Sequence, residues 1–148
     1  RSTQAKTLFP YTTLFRSLKS GAIASTVAHD SHNLIVVGSN DSDMLTAIAE
    51  IERIGGGLTI ARQGKILGSL PLPIAGLMSD SPLQEVDDKL NELLKIAYGM
   101  GVNPQLEPFM TLAFLALPVI PDIKLTDLGL FDVTRFEFMK ISAKKTVV

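Results

Sequence analysis

The strongest constraint on the fold is a pair of apolar runs that enclose five polar residues. The first run covers residues 21–28, the second covers residues 34–38, and His29-Asp-Ser-His-Asn33 lies between them. Small and β-branched residues in both runs are typical of strands, so the sequence predicts a strand, a tight connection and a second strand. Both histidines of the chain therefore lie in a loop at the end of a sheet, where binding and catalytic groups are often placed.

Composition limits the class of protein. The 148 residues suit one domain, and 46% of them are hydrophobic, which is enough to bury a core. Apolar stretches stay well short of the roughly 18 residues of a membrane span, so we expect a soluble protein without a membrane partner. Fourteen basic and fifteen acidic residues, without a block of like charge, make nucleic acid an unlikely partner. The absence of cysteine excludes disulfides and fits the cytoplasm.

Residues 1–17 differ from the rest of the chain. The stretch Thr7-Leu-Phe-Pro-Tyr-Thr-Thr-Leu-Phe-Arg-Ser17 has neither a signal-peptide nor a transit-peptide pattern. It resembles the conceptual translation of a sequencing adapter. We therefore expect residues 1–17 to be a non-native or disordered leader and the domain to occupy residues 18–148. The alternative is a native but poorly ordered arm.

Two helices are predicted from start signals and apolar periodicity. The first begins after Asn40, a suitable N-cap, and ends at Gly55-Gly-Gly57, and its predicted buried stripe contains Leu45, Ile48 and Ile51. The second begins at Ser81-Pro-Leu-Gln84, which has the form of a capping box. Its apolar residues recur at spacings of three and four: Leu83, Val86, Leu90, Leu93, Leu94 and Ala97.

The remaining segments predict mostly strands. Residues 58–62 and 65–70 indicate a hairpin around Gln63-Gly64, whereas the prolines of residues 70–80 favour an edge or loop. The apolar run 109–117 is compatible with a buried strand or a short core helix, and we favour the strand. Residues 123–126 look extended, Asp127-Leu-Gly129 predicts a turn, and residues 130–139 predict an edge strand. The fold class is therefore α+β, a mostly antiparallel sheet of about six strands with helices packed on one face.

The polar loop is compatible with several chemistries. Two imidazoles and a carboxylate are good metal ligands, but His-x-x-His in a turn has unfavourable spacing and no third cluster lies nearby in sequence. A Ser-His-Asp hydrolase is disfavoured because Ser31 lacks the Gly-x-Ser-x-Gly elbow. Two interpretations remain open. The loop either performs acid/base or hydrogen-bonding work on a substrate held elsewhere in the protein, or it is simply a polar turn.

Three long segments of the sequence are distinctive: residues 21–38, Leu70-Pro-Leu-Pro-Ile-Ala-Gly-Leu-Met-Ser-Asp80, and residues 108–121 with Lys124-Leu-Thr-Asp127. In this order they resemble the C-terminal domain of microbial adenine deaminase. That family belongs to the amidohydrolase superfamily. The resemblance implies a parent enzyme that hydrolyses adenine to hypoxanthine and ammonia at a metal centre, manganese or iron, inside a TIM-type barrel.

The resemblance also implies what this chain lacks. The family's metal ligands and general acid/base belong to the barrel, which takes about 250 residues, and no position of this chain matches them. We therefore expect no metal site in this chain and no activity from it alone. The expected partners are its own N-terminal barrel, adenine and further copies in a homo-oligomer.

Two roles follow for the domain itself. In the first, the loop lies close to the substrate, and the candidate residues are His29, Asp30, Ser31, His32 and Asn33. In the second, the domain serves assembly, with the apolar segment from Pro71 to Met78 packing on the barrel or on another subunit.

If residues 1–17 are adapter-derived, a chain that begins at Leu18 should unfold at the same temperature and with the same cooperativity as the 148-residue chain, because the leader would pack on nothing. Calorimetry of both chains measures this. A fall of several degrees in the melting temperature on deletion would show that the leader belongs to the fold.

Overall fold

The computed structural model describes residues 18–28 and 31–140. The leader predicted at residues 1–17 lies outside the described residues, as does the end of the chain from residue 141. Ten elements follow one another along the described part: β1 (Ala22–Ser25), β2 (Ile35–Gly38), α1 (Asp41–Ile54), β3 (Gly57–Arg62), β4 (Lys65–Pro71), α2 (Leu83–Gly99), α3 (Pro108–Ala113), β5 (Ile123–Thr126), β6 (Gly129–Asp132) and β7 (Glu137–Phe138).

The strands form two antiparallel sheets. The larger has the order β2-β1-β3-β4, and the smaller has the order β5-β6-β7. β1 is central in the larger sheet, where Ser25 pairs with Ile35 of β2 on one side and with Leu58 of β3 on the other. The predicted α+β class, the strand pair around the polar loop and the hairpin at Gln63-Gly64 are confirmed. The structure differs in detail, because its seven strands divide into two sheets.

Helices cover both faces of the larger sheet, whereas the prediction placed them on one face. Ala22 and Ala24 of β1 form one small core with Ala47 and Ile51 of α1. Ile23 faces the opposite side, where the main core also contains residues of α2 and α3: Leu93, Ala97, Phe109 and Leu112. All four residues of β1 are buried, and a strand that is buried on both sides needs a layer on each face.

The first helix begins and ends as predicted, but its buried stripe is different. The Asn40 side chain accepts a hydrogen bond from the backbone N–H of Asp43 at 2.9 Å, and Gly55 adopts the left-handed conformation at the C-cap. Asp43, Ala47 and Ile51 are the buried positions, whereas Leu45 is 65% exposed. The helix presents a small alanine to the alanines of β1, and this orientation turns Leu45 towards solvent.

The capping box predicted at Ser81 is wrong. The helix α2 begins at Leu83, with Pro82 at the N-cap position and no side-chain cap. The carbonyl oxygen of Pro82 instead accepts the N–H groups of Glu85 and Val86 at 3.0 and 3.2 Å. Leu83 precedes the buried stripe and is 84% exposed, whereas Leu93 and Ala97 are buried as predicted.

The strand favoured for residues 109–117 is also wrong, because the run opens with the helix α3. The Glu107 carboxylate accepts the backbone N–H groups of Phe109 and Met110, and Pro108 occupies the first helical turn. A side-chain cap followed by proline is a helix start signal, and here it outweighs the unbroken apolar character. Burial raises the pKa of Glu107, while its two backbone hydrogen bonds act in the opposite direction.

The edge strand predicted for residues 130–139 is a hairpin of two shorter strands. β6 ends at Asp132 and β7 covers Glu137 and Phe138, with Phe131 opposite Phe138. The intervening turn is held by the Asp132 carboxylate, which accepts the backbone N–H of Arg135 at 3.0 Å. The extended segment 123–126 and the turn at Asp127-Leu-Gly129 are confirmed. Along the described part of the chain, no helix combines the length and apolarity that a bilayer crossing requires.

We predict that Asp43→Asn lowers the free energy of unfolding at pH 7 by about 1.5–3 kcal/mol, the range for a lost charge-assisted hydrogen bond. The buried carboxylate accepts the Gly64 backbone N–H and the Asn40 amide, both at 2.8 Å. These bonds, that of Gly64 first, hold the pKa of Asp43 below its ordinary value of 3.8.

A depressed carboxyl pKa contributes stability above the ordinary value, and that contribution is lost as the pH falls through the lower folded-state value. The difference between the native chain and Asp43→Asn should therefore shrink in denaturant titrations carried out below pH 3.8. Asp41→Asn, an exposed substitution in the same helical turn, is the matched control. If the difference in free energy of unfolding between the native chain and Asp43→Asn stays constant down to about pH 2, this role of the ionised carboxylate is contradicted.

Candidate functional site

The base of the polar loop is anchored by Thr26, the residue that follows β1. Its hydroxyl donates to the carbonyl oxygen of Gly76 at 2.6 Å and accepts the backbone N–H of Gly57 at 2.8 Å. The backbone N–H of Thr26 also donates to the Gly57 carbonyl oxygen at 3.0 Å. One side chain therefore joins the end of β1, the start of β3 and the proline-containing segment 71–78.

Two glycines make this junction close enough for those bonds. A Cβ at Gly56 would lie 2.6 Å from the Cα of Gly76, and a Cβ at Gly57 would overlap the carbonyl oxygen of Leu70. Both glycines have positive φ angles, 109° and 143°. Of the three glycines predicted to end the helix, only Gly55 acts as the cap, and the next two are required by close backbone contact.

The loop leaves the core directly after Ala28, which is fully buried. His29 and Asp30, two of the five predicted site residues, lie outside the described residues. Ser31 and His32 are exposed, and Asn33 is half-buried. The backbone N–H of His32 donates to the carbonyl oxygen of Ala28 at 2.7 Å, and His32 has a φ of 50°. This left-handed conformation is uncommon for residues with a side chain, and such residues are concentrated at functional sites.

Asn33 lies at the rim of a cavity of about 490 Å³ that three parts of the chain enclose. The start of β2, the segment after α3 and the β5–β6 turn supply its lining: Asn33, Leu34, Ile35, Val36, Leu115, Ala116, Leu125, Thr126 and Asp127. The lining is mostly apolar with a few polar groups, which is the usual character of a small-molecule site. The cavity therefore brings one predicted site residue together with Thr126 and Asp127, which the prediction did not include.

The cavity wall formed by residues 115–127 is fixed by hydrogen bonds of the backbone and of one side chain. The backbone N–H of Leu125 donates to the Leu115 carbonyl oxygen at 3.3 Å, which joins β5 to the segment after α3. The Thr126 hydroxyl donates to the Gly129 carbonyl oxygen at 2.8 Å and thereby closes the β5–β6 turn. Asp127 lies in that turn with an exposed side chain. The amide of Asn33 and the carboxylate of Asp127 are thus available at the edge of one apolar cavity.

Lys124 is a buried charge close to this wall. It lies on β5 and is fully buried, whereas its neighbours Ile123 and Leu125 are about half exposed. Burying an ammonium group costs free energy unless polar groups surround it, so a lysine at this position requires polar partners. Lys124-Leu-Thr-Asp127 carries part of the family resemblance, but the sequence pattern predicts no role for the lysine. The available signal was a lysine in the middle of an otherwise uncharged four-residue strand.

The three segments that carry the resemblance meet at this site. Residues 21–38 supply the loop, residues 70–80 bind its base through Gly76, and residues 108–127 supply the far wall of the cavity. The arrangement offers an amide, a carboxylate and an exposed imidazole to a ligand. No group of three or more histidine, aspartate or glutamate side chains in the described ranges 18–28 and 31–140 could hold a metal ion.

Comparison with known proteins identifies the family. The family described as the adenine deaminase C-terminal domain matches residues 15–137. Adenine deaminase 2 of Carboxydothermus hydrogenoformans is 61% identical over 125 residues, which cover 84% of this chain and 22% of that protein. The adenine deaminase of Clostridium acetobutylicum is 58% identical over 123 residues, 82% of this chain and 22% of that protein. The adenine deaminase of Nitratidesulfovibrio vulgaris strain DP4 is 56% identical over 125 residues, which cover 84% of this chain and 22% of that protein.

The chain thus spans about a fifth of the length of the curated relatives it matches. The matched region nevertheless includes the loop, the glycine junction and the cavity wall. The chain belongs to the family of adenine deaminase C-terminal domains.

Proposed function

We propose that the protein to which this domain belongs hydrolyses adenine to hypoxanthine and ammonia in the cytoplasm. The observation that carries the proposal is the 61% identity to an adenine deaminase across most of this chain, and the family match covers every segment that forms the cavity. Manganese or iron would be bound by a barrel domain outside this chain. The described residues do not fit a metal centre, so no step of the chemistry is assigned to a metal held here.

We further propose that the loop 29–33 faces the substrate in the intact enzyme. Its base is fixed by the hydrogen bonds of Thr26, and Asn33 at its far end lines the cavity. Such anchoring lowers the conformational entropy that a loop loses when it orders around a ligand.

The residue types suit a purine. The Asn33 amide can donate and accept hydrogen bonds at once, which matches the alternating donors and acceptors on the edge of adenine. An imidazole changes protonation near neutral pH and can move a proton to or from the leaving amino group. In this role His32, and with it His29, would act on substrate held by the barrel, while Asp30 and Ser31 would complete the polar surface.

An assembly role is the alternative, in which the domain mediates contacts with the barrel or with other subunits of a homo-oligomer. The segment 71–78 predicted for this role is partly used inside the domain, because Leu72 is 6% exposed and Gly76 binds Thr26. Ile74 and Met78 remain exposed.

The kinetic test uses a hybrid enzyme, in which this chain replaces the matching region of the C. hydrogenoformans protein. If a loop histidine transfers a proton, its replacement, His32→Ala or His29→Ala, should lower kcat for adenine by roughly 10²–10⁴-fold without changing the oligomeric state. Steady-state kinetics and sedimentation measure the two quantities.

Gln63→Ala is the matched control for His32→Ala. Gln63 is also exposed, also has a left-handed φ, 53°, and lies in the β3–β4 hairpin away from the cavity. Its replacement should leave kcat unchanged. Normal kinetics for both histidine variants together with an altered oligomer would favour the assembly role instead.

The 148-residue chain alone should neither deaminate adenine nor bind a divalent metal tightly, because the expected metal ligands belong to the barrel. Titration calorimetry with Mn²⁺ and an ammonia-release assay test this. Tight binding of one Mn²⁺ per chain that His29→Ala abolishes would show that the chain holds a metal site of its own.

A further inference from the structure

Exposed apolar side chains are concentrated in and around the three-stranded sheet. Sixteen large apolar side chains are exposed among the described residues, and eight of them lie between Val119 and Met139. We call these eight the apolar patch: Val119, Ile120, Ile123, Leu125, Leu128, Phe136, Phe138 and Met139. Exposed apolar residues that occur singly are normal, but a concentration of this kind marks an interaction site.

The patch is separate from the two cores of the domain. Within the described part of the chain, neither core includes a residue of β5, β6 or β7. Phe131 instead packs edge-to-face against Phe136 and Phe138, with both ring centroids 5.2 Å away, and Phe136 is 79% exposed. Small sheets gain stability when an apolar face packs against another element. The aromatic residues therefore lack the covering layer that the larger sheet has on both faces.

We propose that the apolar patch is the surface on which the catalytic part of the same adenine deaminase polypeptide docks. This inference rests on the proposed function only in assuming that the intact protein contains such a part. The matched relatives carry 22% of their length in this region, so about four-fifths of each relative lies outside it. A body of that size, joined covalently to the domain, has a high effective concentration at the patch.

The position of the patch also links docking to the candidate site. Thr126 and Asp127 line the cavity beside Asn33, and the same two residues line a second cavity of about 220 Å³ among the phenylalanines of the patch. A body seated on Phe136 and Leu128 would therefore border the cavity that contains Asn33. The segment 71–78 has no comparable surface, since its exposed Ile74 and Met78 are few and Leu72 is buried.

Hydrogen exchange can test the docking directly. In the hybrid enzyme the backbone amides of β5–β7 should exchange at least ~10-fold more slowly than in the 148-residue chain, because a covered sheet opens less often. Leu128→Lys and Val119→Lys place a charge at positions that are 77% and 70% exposed in the chain. Both should remove the added protection in the hybrid enzyme while leaving the melting temperature of the chain alone unchanged.

Leu83→Lys is the matched control, because Leu83 is 84% exposed on α2 and outside the patch. It should leave exchange in β5–β7 unchanged in both proteins. Equal exchange in the chain and in the hybrid enzyme would overturn the proposal. A lower melting temperature of the 148-residue chain caused by Leu128→Lys or Val119→Lys would also overturn it, because it would mean that the chain covers its own patch.

A concentration-dependent dimer of the chain that Leu128→Lys abolishes would assign the patch to a second copy and would also overturn the proposal. These readouts do not depend on adenine turnover. Slower exchange in β5–β7 of a hybrid enzyme that does not deaminate adenine would reject the proposed function and support the docking surface. Deamination without slower exchange would support the proposed function and reject the docking surface.

Discussion

The hydrogen bonds of Thr26 are the interaction on which the arrangement of the site depends. Without its hydroxyl, the end of β1, the start of β3 and the segment 71–78 would meet only through backbone contacts. The glycines at positions 56 and 57 allow that meeting because a Cβ at either would collide with neighbouring backbone. The chain that leads into the polar loop is therefore attached to a junction of three segments and is still buried at Ala28.

Close approach also explains how α1 packs on the larger sheet. Alanines at positions 22, 24 and 47 let α1 lie close to β1, and polar side chains of α1 make hydrogen bonds beside this contact. Asp43 binds the β3–β4 turn through Gly64, while the Glu50 carboxylate accepts a hydrogen bond from Ser69 of β4 at 2.8 Å. Arg53 donates to Glu50 through two nitrogens and, with Ser69, lowers the pKa of that carboxyl. Small side chains set the helix–sheet distance, and short polar side chains then reach across it.

Helix caps and turns can be predicted from the sequence where a single residue determines the local backbone conformation. Asn40 as a cap, Gly55 as a helix end and Gln63-Gly64 as a hairpin turn were predicted because each effect is contained within a few residues. Leu45 and Leu83 were predicted to be buried and are not, because the orientation of a helix depends on the surface it meets. The apolar run that begins at Phe109 is compatible with a strand or a helix, and the cap formed by Glu107 and Pro108 makes its first part a helix. The cavity at Asn33 was out of reach, since residues 115–127 approach the loop only through the tertiary fold.

The domain thus combines a closed part with an open part, and the candidate site lies at their boundary. The larger sheet is covered on both faces, and Asn33 lies just before its strand β2, while the β5–β6 hairpin contributes Thr126 and Asp127 and Phe136 and Phe138 stay exposed. The described start of the loop is tied to the larger sheet through the hydrogen bonds of Thr26. Its distance from a substrate held by another domain is then determined by how the two domains dock. If the two proposals hold, docking at the apolar patch sets the distance between the polar loop and the substrate.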